Sequence, residues 1–180
     1  AHYDSVVGTP GADDNASGVA ALLECARVLS GVRLPRTVEL AALDMEERQP
    51  GAGALLGADA LAREAKVGRR YDGVYNLEMV GYASGPGTQQ FPSGFRFLFP
   101  GVYGRVKARE FRRDSLAVVA VGRSRALGRR FARAAARWVP ELEVVSVEAG
   151  WWKAVPDLFR SDHTPFLKVG MPAVMIADTA

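Results

Sequence analysis

Cysteine occurs once, at Cys25, which excludes an internal disulfide framework and any cysteine-rich zinc site. Histidine occurs only twice, at His2 and His163, so the position of each is informative. No apolar run approaches the ~18–20 residues that a membrane-spanning helix needs. A large charge excess is also missing: 23 basic side chains face 20 acidic ones for a net +3, although the pI is about 9.2. The glycines around Gly53 and Gly57 lack the Lys-Ser/Thr of a phosphate-cradling loop, which argues against a nucleotide site. Ser5 and Ser17 lie near His2 in sequence, but neither sits in the nucleophile elbow of a serine hydrolase. What is present is 180 residues, 48% apolar and 24% charged, enough to build one domain around a real core.

Apolar, β-branched runs predict strands at Thr37–Leu43, Gly73–Val80, Leu116–Val121, Leu142–Val147 and Pro172–Ala177. Helical periodicity appears between them. Val19, Leu22, Leu23, Ala26 and Leu29 form one face, with Asn15 or Ser17 available as a cap and Cys25 expected to be buried beside Ala26. A second helix covers Leu55–Ala65. A third sets Leu127, Phe131, Ala134 and Trp138 opposite Arg129, Arg133 and Arg137. This alternation predicts an α/β fold, a three-layer αβα sandwich around a mixed, mainly parallel sheet. The stretch Tyr82–Gly104, rich in glycine, proline and aromatics, suits equally a surface excursion pinned by its own rings or the wall of a pocket. Residues 105–137 carry eleven basic side chains against two acidic ones, yet poor aromatic interleaving favours a solvated helix face over nucleic-acid binding. Trp151 and Trp152 suit a cleft lining or a core cap.

The acidic residues are placed less evenly. His2-x-Asp4, Gly11-Ala-Asp-Asp-Asn-Ala-Ser-Gly18, Asp44-Met-Glu-Glu47 and Asn76-Leu-Glu-Met79 fall at the ends of predicted strands or the start of a helix. In open α/β sheets the carboxyl ends of the strands are where ligands bind. Each piece alone has a bland explanation: an N-cap, a solvated turn or a partner for a buried imidazole. Carboxylates converging on one cleft repel one another unless cations neutralise them, and a metal pair does so. A carboxylate bridging two ions is the natural centre of such a site.

These segments, together with Arg160-Ser-Asp-His-Thr-Pro-Phe166 and Gly170-Met-Pro-Ala173, resemble the M28 family of zinc-dependent exopeptidases, in family order and nearly end to end. The resemblance implies a zinc-exopeptidase-like fold (phosphorylase/hydrolase-like) and a dinuclear zinc aminopeptidase acting on peptides with a free N-terminus. His2 would ligate one zinc, with Asp4 fixing its ring from behind. Asp14 would bridge both ions, Glu47 would ligate the second, and Glu78, where many members have Asp, would join His2 on the first. Glu46 would be the general base. Asp162 and His163 would support the cleft rather than bind zinc. The family's remaining ligand, a histidine in a Tyr-His-Thr-like motif, is not supplied by this chain. The expectation is therefore a single catalytic domain over 1–180, truncated at both ends, that holds one zinc well and the second weakly. Alternatives of the same fold are a glutaminyl cyclase-like acyl transferase and a catalytically dead binding module. Neither nucleic acid nor a membrane span is expected. Compartment is left open by the residues themselves, the resemblance favouring an extracytoplasmic or secreted protein.

Overall fold

The computed structural model describes residues 1–48, 51, 53–91, 94–149 and 159–178. Trp151 and Trp152 lie outside the described residues. Four strands form one sheet in the order β1-β4-β2-β3: β1 Val74–Leu77, β2 Ser115–Val121, β3 Glu143–Ala149 and β4 Ala173–Asp178. β1 runs parallel to β4 and β2 parallel to β3, while β2 and β4 are antiparallel. The sheet is thus mixed with parallel pairs in the majority, and all four strands fall within or beside runs legible in the sequence.

Helices cover both faces of the sheet. α5 (Arg125–Trp138) lays Leu127 and Phe131 on Val118 and Ala120 of β2 and on Val174 and Ile176 of β4. The approach is close at Gly128, where an added Cβ would sit 2.9 Å from the Ala120 Cβ. The buried helix positions are therefore Gly128 and Ala135, whereas Ala134 and Trp138 are exposed. Trp138, at the last residue of α5, is largely exposed, with the Arg137 guanidinium 4.9 Å above its ring. Alternate residues of the same strands point to the opposite face, as the two-residue period requires. There Val119, Val145, Val147 and Met175 meet Val102 and Val106 of α4 (Pro100–Ala108). Phe91, Phe95, Phe99 and Phe111 join this cluster, Phe91 stacking on Phe95 at 4.5 Å. Phe91, Phe95 and Phe99 thus pin the Tyr82–Gly104 stretch to the sheet; α3 (Phe95–Leu98) is a single turn within it.

α2 (Leu56–Val67) buries Ala58, Ala62 and Ala65, a small-residue stripe at helical spacing. It packs against Phe166 of α6 (His163–Lys168), Met171 and Ala173. α1 (Gly18–Leu29) is less covered: only Gly18 is buried, Leu23 and Val28 are exposed, and Cys25 is exposed rather than buried as expected. The expected strand Thr37–Leu43 is reduced to one parallel bridge between His2 and Leu43. Residues 31–40 are exposed throughout. A strand is completed by a neighbour's backbone, and here the contacts are few: Tyr3 N–H to Leu43 O and Leu43 N–H to Ala1 O, both 2.9 Å, and the Ala1 amine to Ala41 O at 3.5 Å.

Candidate functional site

The site is assembled at the carboxyl end of β1. The turn Ala12–Ser17 lies across the exit of that strand and is stitched to it by side chains. Asn15 Nδ2 donates to Leu77 O at 2.9 Å, and Asn15 Oδ1 accepts the amides of Met79 (3.0 Å) and Gly18 (3.1 Å). Ser17 Oγ accepts the Val80 amide, and Asp13 Oδ1 accepts that of Gly81. Asn15 therefore caps α1 and clamps the strand at once, which explains its complete burial. Gly18 is required by the same approach: a Cβ there would stand 2.8 Å from Leu77 O.

With the two segments locked, Asp14 and Glu78 meet over one imidazole. His2 Nε2 lies 3.2 Å from Asp14 Oδ1 and 3.2 Å from Glu78 Oε1. Its other nitrogen, Nδ1, lies 3.0 Å from the Asp4 carbonyl oxygen and 3.3 Å from Asp4 Oδ1. The Asp4 carboxylate also accepts the backbone amides of Glu46 and Glu47, each at 3.1 Å. The short loop after Leu43 is held from its far side by the start of α2, where Leu55 N–H donates to Glu46 O and Leu56 N–H to Met45 O, both at 3.0 Å. Met45 and Met79, flanking Glu46 and Glu78, both adopt a left-handed backbone that non-glycine residues seldom take. Ligand-type atoms of His2, Glu46 and Glu78 come within 4.8 Å of one another, and all three residues are buried.

So much negative charge in so little space perturbs His2, Asp14, Glu46, Glu47, Glu78 and Asp162. Burial opposes the His2 charge, but its hydrogen bond to Glu78 and the charges of Glu78, Glu46 and Asp162 outweigh this and push it up to about 9. Burial, then repulsion from Glu78, pushes Glu46 up to about 8. Burial raises Asp162 to about 6, and both its carboxylate oxygens are buried without a hydrogen bond among the described residues. Burial, then repulsion from Glu78, raises Asp14; burial, then repulsion from Asp14, raises Glu47. Glu78 alone runs the other way: burial raises it, but the bonds from His2 and Ser161 hold it below the usual glutamate value. Asp14 Oδ1, buried and 3.2 Å from His2 Nε2, belongs to the same cluster. Oxygen and imidazole donors, orphaned buried oxygens and carboxylates that resist ionisation are the surroundings a divalent cation fits.

His163 is fully buried, its ring stacked against Phe159 with centroids 6.3 Å apart, and it is not among the His2, Glu46 and Glu78 group. Two contributors had no role in the sequence analysis. Ser161 Oγ donates to Glu78 Oε2 at 2.6 Å, and Asn76 Nδ2 lies 2.6 Å from Ser161 Oγ. A sequence signal existed for one of them, since Asn76 and Glu78 place two polar side chains two residues apart on one face of an otherwise apolar strand. Further out, Asp178 at the end of β4 accepts the Tyr82 amide through Oδ2 at 2.8 Å and fixes the chain leaving the site.

Comparison with known proteins identifies relatives of the chain. The YfbL protein of Escherichia coli is 37% identical over the whole chain, which spans 54% of that protein. A protein of Leptosphaeria maculans named a probable zinc metalloprotease is 33% identical over 96% of the chain, which spans 40% of it. Among solved structures, a zinc aminopeptidase from Bacillus subtilis superposes on 98% of the chain with a TM-score of 0.63 at 23% identity, the match covering 34% of that protein. The chain thus spans about half, or less, of the relatives it matches. The family model for peptidase family M28 matches residues 1–100, which include His2, Asp14, Glu46, Glu47 and Glu78, and the chain belongs to that family.

Proposed function

We propose that the chain carries the site of a zinc-dependent aminopeptidase. The observation that supports this best is the meeting of Asp14 and Glu78 over His2 Nε2, each at 3.2 Å, beside the buried Glu46. His2, Asp14 and Glu78 would hold one zinc, and Asp14 with Glu47 a second. The family resemblance implies a fifth ligand, a histidine, in a motif that the segments named here do not match. Bound zinc supplies Lewis acidity at neutral pH to the attacking water and to the carbonyl that is cleaved. The protein's part is proton transfer and orientation. Glu46 takes one proton from the water as its oxygen bonds to the carbonyl carbon, then returns it to the amine nitrogen as the carbon–nitrogen bond breaks. Asp4 holds His2 Nδ1 and both glutamate amides, so ligand and base keep one geometry. The surrounding carboxylates attract the α-ammonium of a peptide, which makes a free N-terminus the substrate feature.

Zinc content by elemental analysis and release of nitroaniline from aminoacyl-nitroanilides test this, on the 180-residue chain and on one extended past Ala180. One tightly held zinc and little activity are expected in the shorter protein, with two zincs and full activity in the longer. Chelation should abolish the activity and zinc restore it. Two tight zincs and full activity in the shorter protein would mean that the missing ligand lies within it, with His163 the first suspect. Cyclisation of glutaminyl peptides without hydrolysis would move the site to the other reaction of this fold.

A further inference from the structure

Glu78 reaches the site with a side chain one methylene longer than aspartate, so its carboxylate needs holding at both oxygens. Oε1 faces His2 Nε2 at 3.2 Å, and Oε2 receives the Ser161 hydroxyl at 2.6 Å. Behind the serine, Asn76 Nδ2 lies 2.6 Å from Ser161 Oγ and 3.5 Å from Glu78 Oε2. Asn76 and Ser161 are buried, 3% and 5% exposed, which leaves water little part in the arrangement. An amide nitrogen only donates, and a hydroxyl has a single proton to give. If Asn76 donates to Ser161, the serine proton is left for Glu78 Oε2. The reverse orientation would set the Asn76 carbonyl oxygen 3.5 Å from a carboxylate oxygen and draw the serine proton away, leaving two lone pairs facing a buried anion.

We propose that Asn76 is a positioning residue: it fixes the direction of the Ser161 hydroxyl, and through it turns Oε1 of Glu78 toward His2 and the metal position. The three side chains come from β1, the residue just after it and the loop before α6, so the relay ties a ligand at the end of the strand to a segment 83 residues away. This role rests on the zinc site proposed above, and the experiment separates the two.

Asn76→Ala, Ser161→Ala, the double variant and the isosteric Asn76→Asp are compared with the wild-type protein. Zinc affinity is measured by competition with a chromophoric chelator, visible absorption is recorded with Co(II) in place of zinc, and melting by circular dichroism checks folding. Each single alanine variant should bind zinc about 10–100-fold more weakly, the range for residues that orient a ligand. The double variant should match Ser161→Ala within about twofold, because the two act in series. Asn76→Asp should lose at least as much as Ser161→Ala, since a carboxylate there takes the serine proton for itself. The cobalt absorption should shift in Asn76→Ala, a change that lost packing alone would not produce. Wild-type zinc affinity and an unshifted cobalt spectrum in Asn76→Ala, or additive losses in the double variant, would overturn the relay. If Asn76→Ala fails to fold, wild-type affinity in Asn76→Asp overturns it instead. A wild-type protein that takes up neither zinc nor cobalt would overturn the metal site itself, and the relay with it.

Discussion

Glu46→Gln is expected to keep its zinc and to lower kcat by about 10²–10⁴-fold, the contribution of a positioned general base. Glutamine preserves the side chain's shape and its hydrogen-bonding reach but cannot carry a proton between water and amine. The backbone N–H of Glu46 is held by Asp4 and its carbonyl oxygen by Leu55, so the loop should not move. Elemental analysis and steady-state kinetics on a protein that includes the missing histidine measure both halves of the expectation. Glu47→Ala should show the opposite pattern, with lower metal content at the second position. Turnover by Glu46→Gln close to wild type would remove Glu46 from the role of base.

The second large effect is on stability, and it depends on pH. In the metal-free protein Glu46 is pushed up to about 8, Asp162 to about 6 and His2 to about 9. Unfolded, the two acid types ionise near ~4 and histidine near ~6.5. A folded group with raised proton affinity stabilises the fold most on the acid side, and that contribution fades as pH rises through its folded value. Asp162 fades first, toward about 6, then Glu46 toward about 8, then His2 toward about 9. Glu78, held low, has its contribution in place above the ordinary glutamate value and loses it only on acidification. The buried Ala1 amine, lowered mainly by desolvation, opposes the trend. The metal-free protein should therefore melt lower at pH 8 than at pH 6. Zinc replaces the missing protons, and its ligands must be deprotonated to bind. At a thousandfold excess over its Kd at pH 8, zinc should stabilise by about 4 kcal/mol. For a protein of this size that corresponds to about 10 °C in Tm. At pH 5.5 the rise should be smaller by more than half. Equal rises at both pH values would show that zinc does not compete with these protons.

Much of this was readable before any coordinates, and the reasons are local. A strand such as Leu116–Val121 announces itself because both its faces are buried and every residue is apolar or small. His2, Asp14, Glu46 and Glu78 stand out because charged residues at strand ends and helix starts are costly unless something uses them. The losses come from contacts that sequence spacing does not encode. Thr37–Leu43 has strand composition but forms a β-bridge at Leu43 alone among the described residues, and pairing is not a property of the segment itself. The inner face of α5 is rotated toward Gly128 and Ala135 because close approach to β2 favours the smallest residues over the largest. Asn76 and Ser161 carry no charge and lie 85 residues apart, so nothing in the linear text joins them.

The Asp4 carboxylate accepts the amides of Glu46 and Glu47 and lies 3.3 Å from the His2 ring, which makes one side chain common to parts of the site that are far apart in the chain. In genetic terms this is built-in epistasis. A change at Asp4 shifts the background in which every change at positions 2, 46 and 47 is judged, so single-residue scans would understate how these positions constrain one another. A lineage altering the metal preference of this fold cannot drift one ligand at a time. The histidine end and the glutamate end have to move together, or through an intermediate in which another acceptor has already taken over from Asp4.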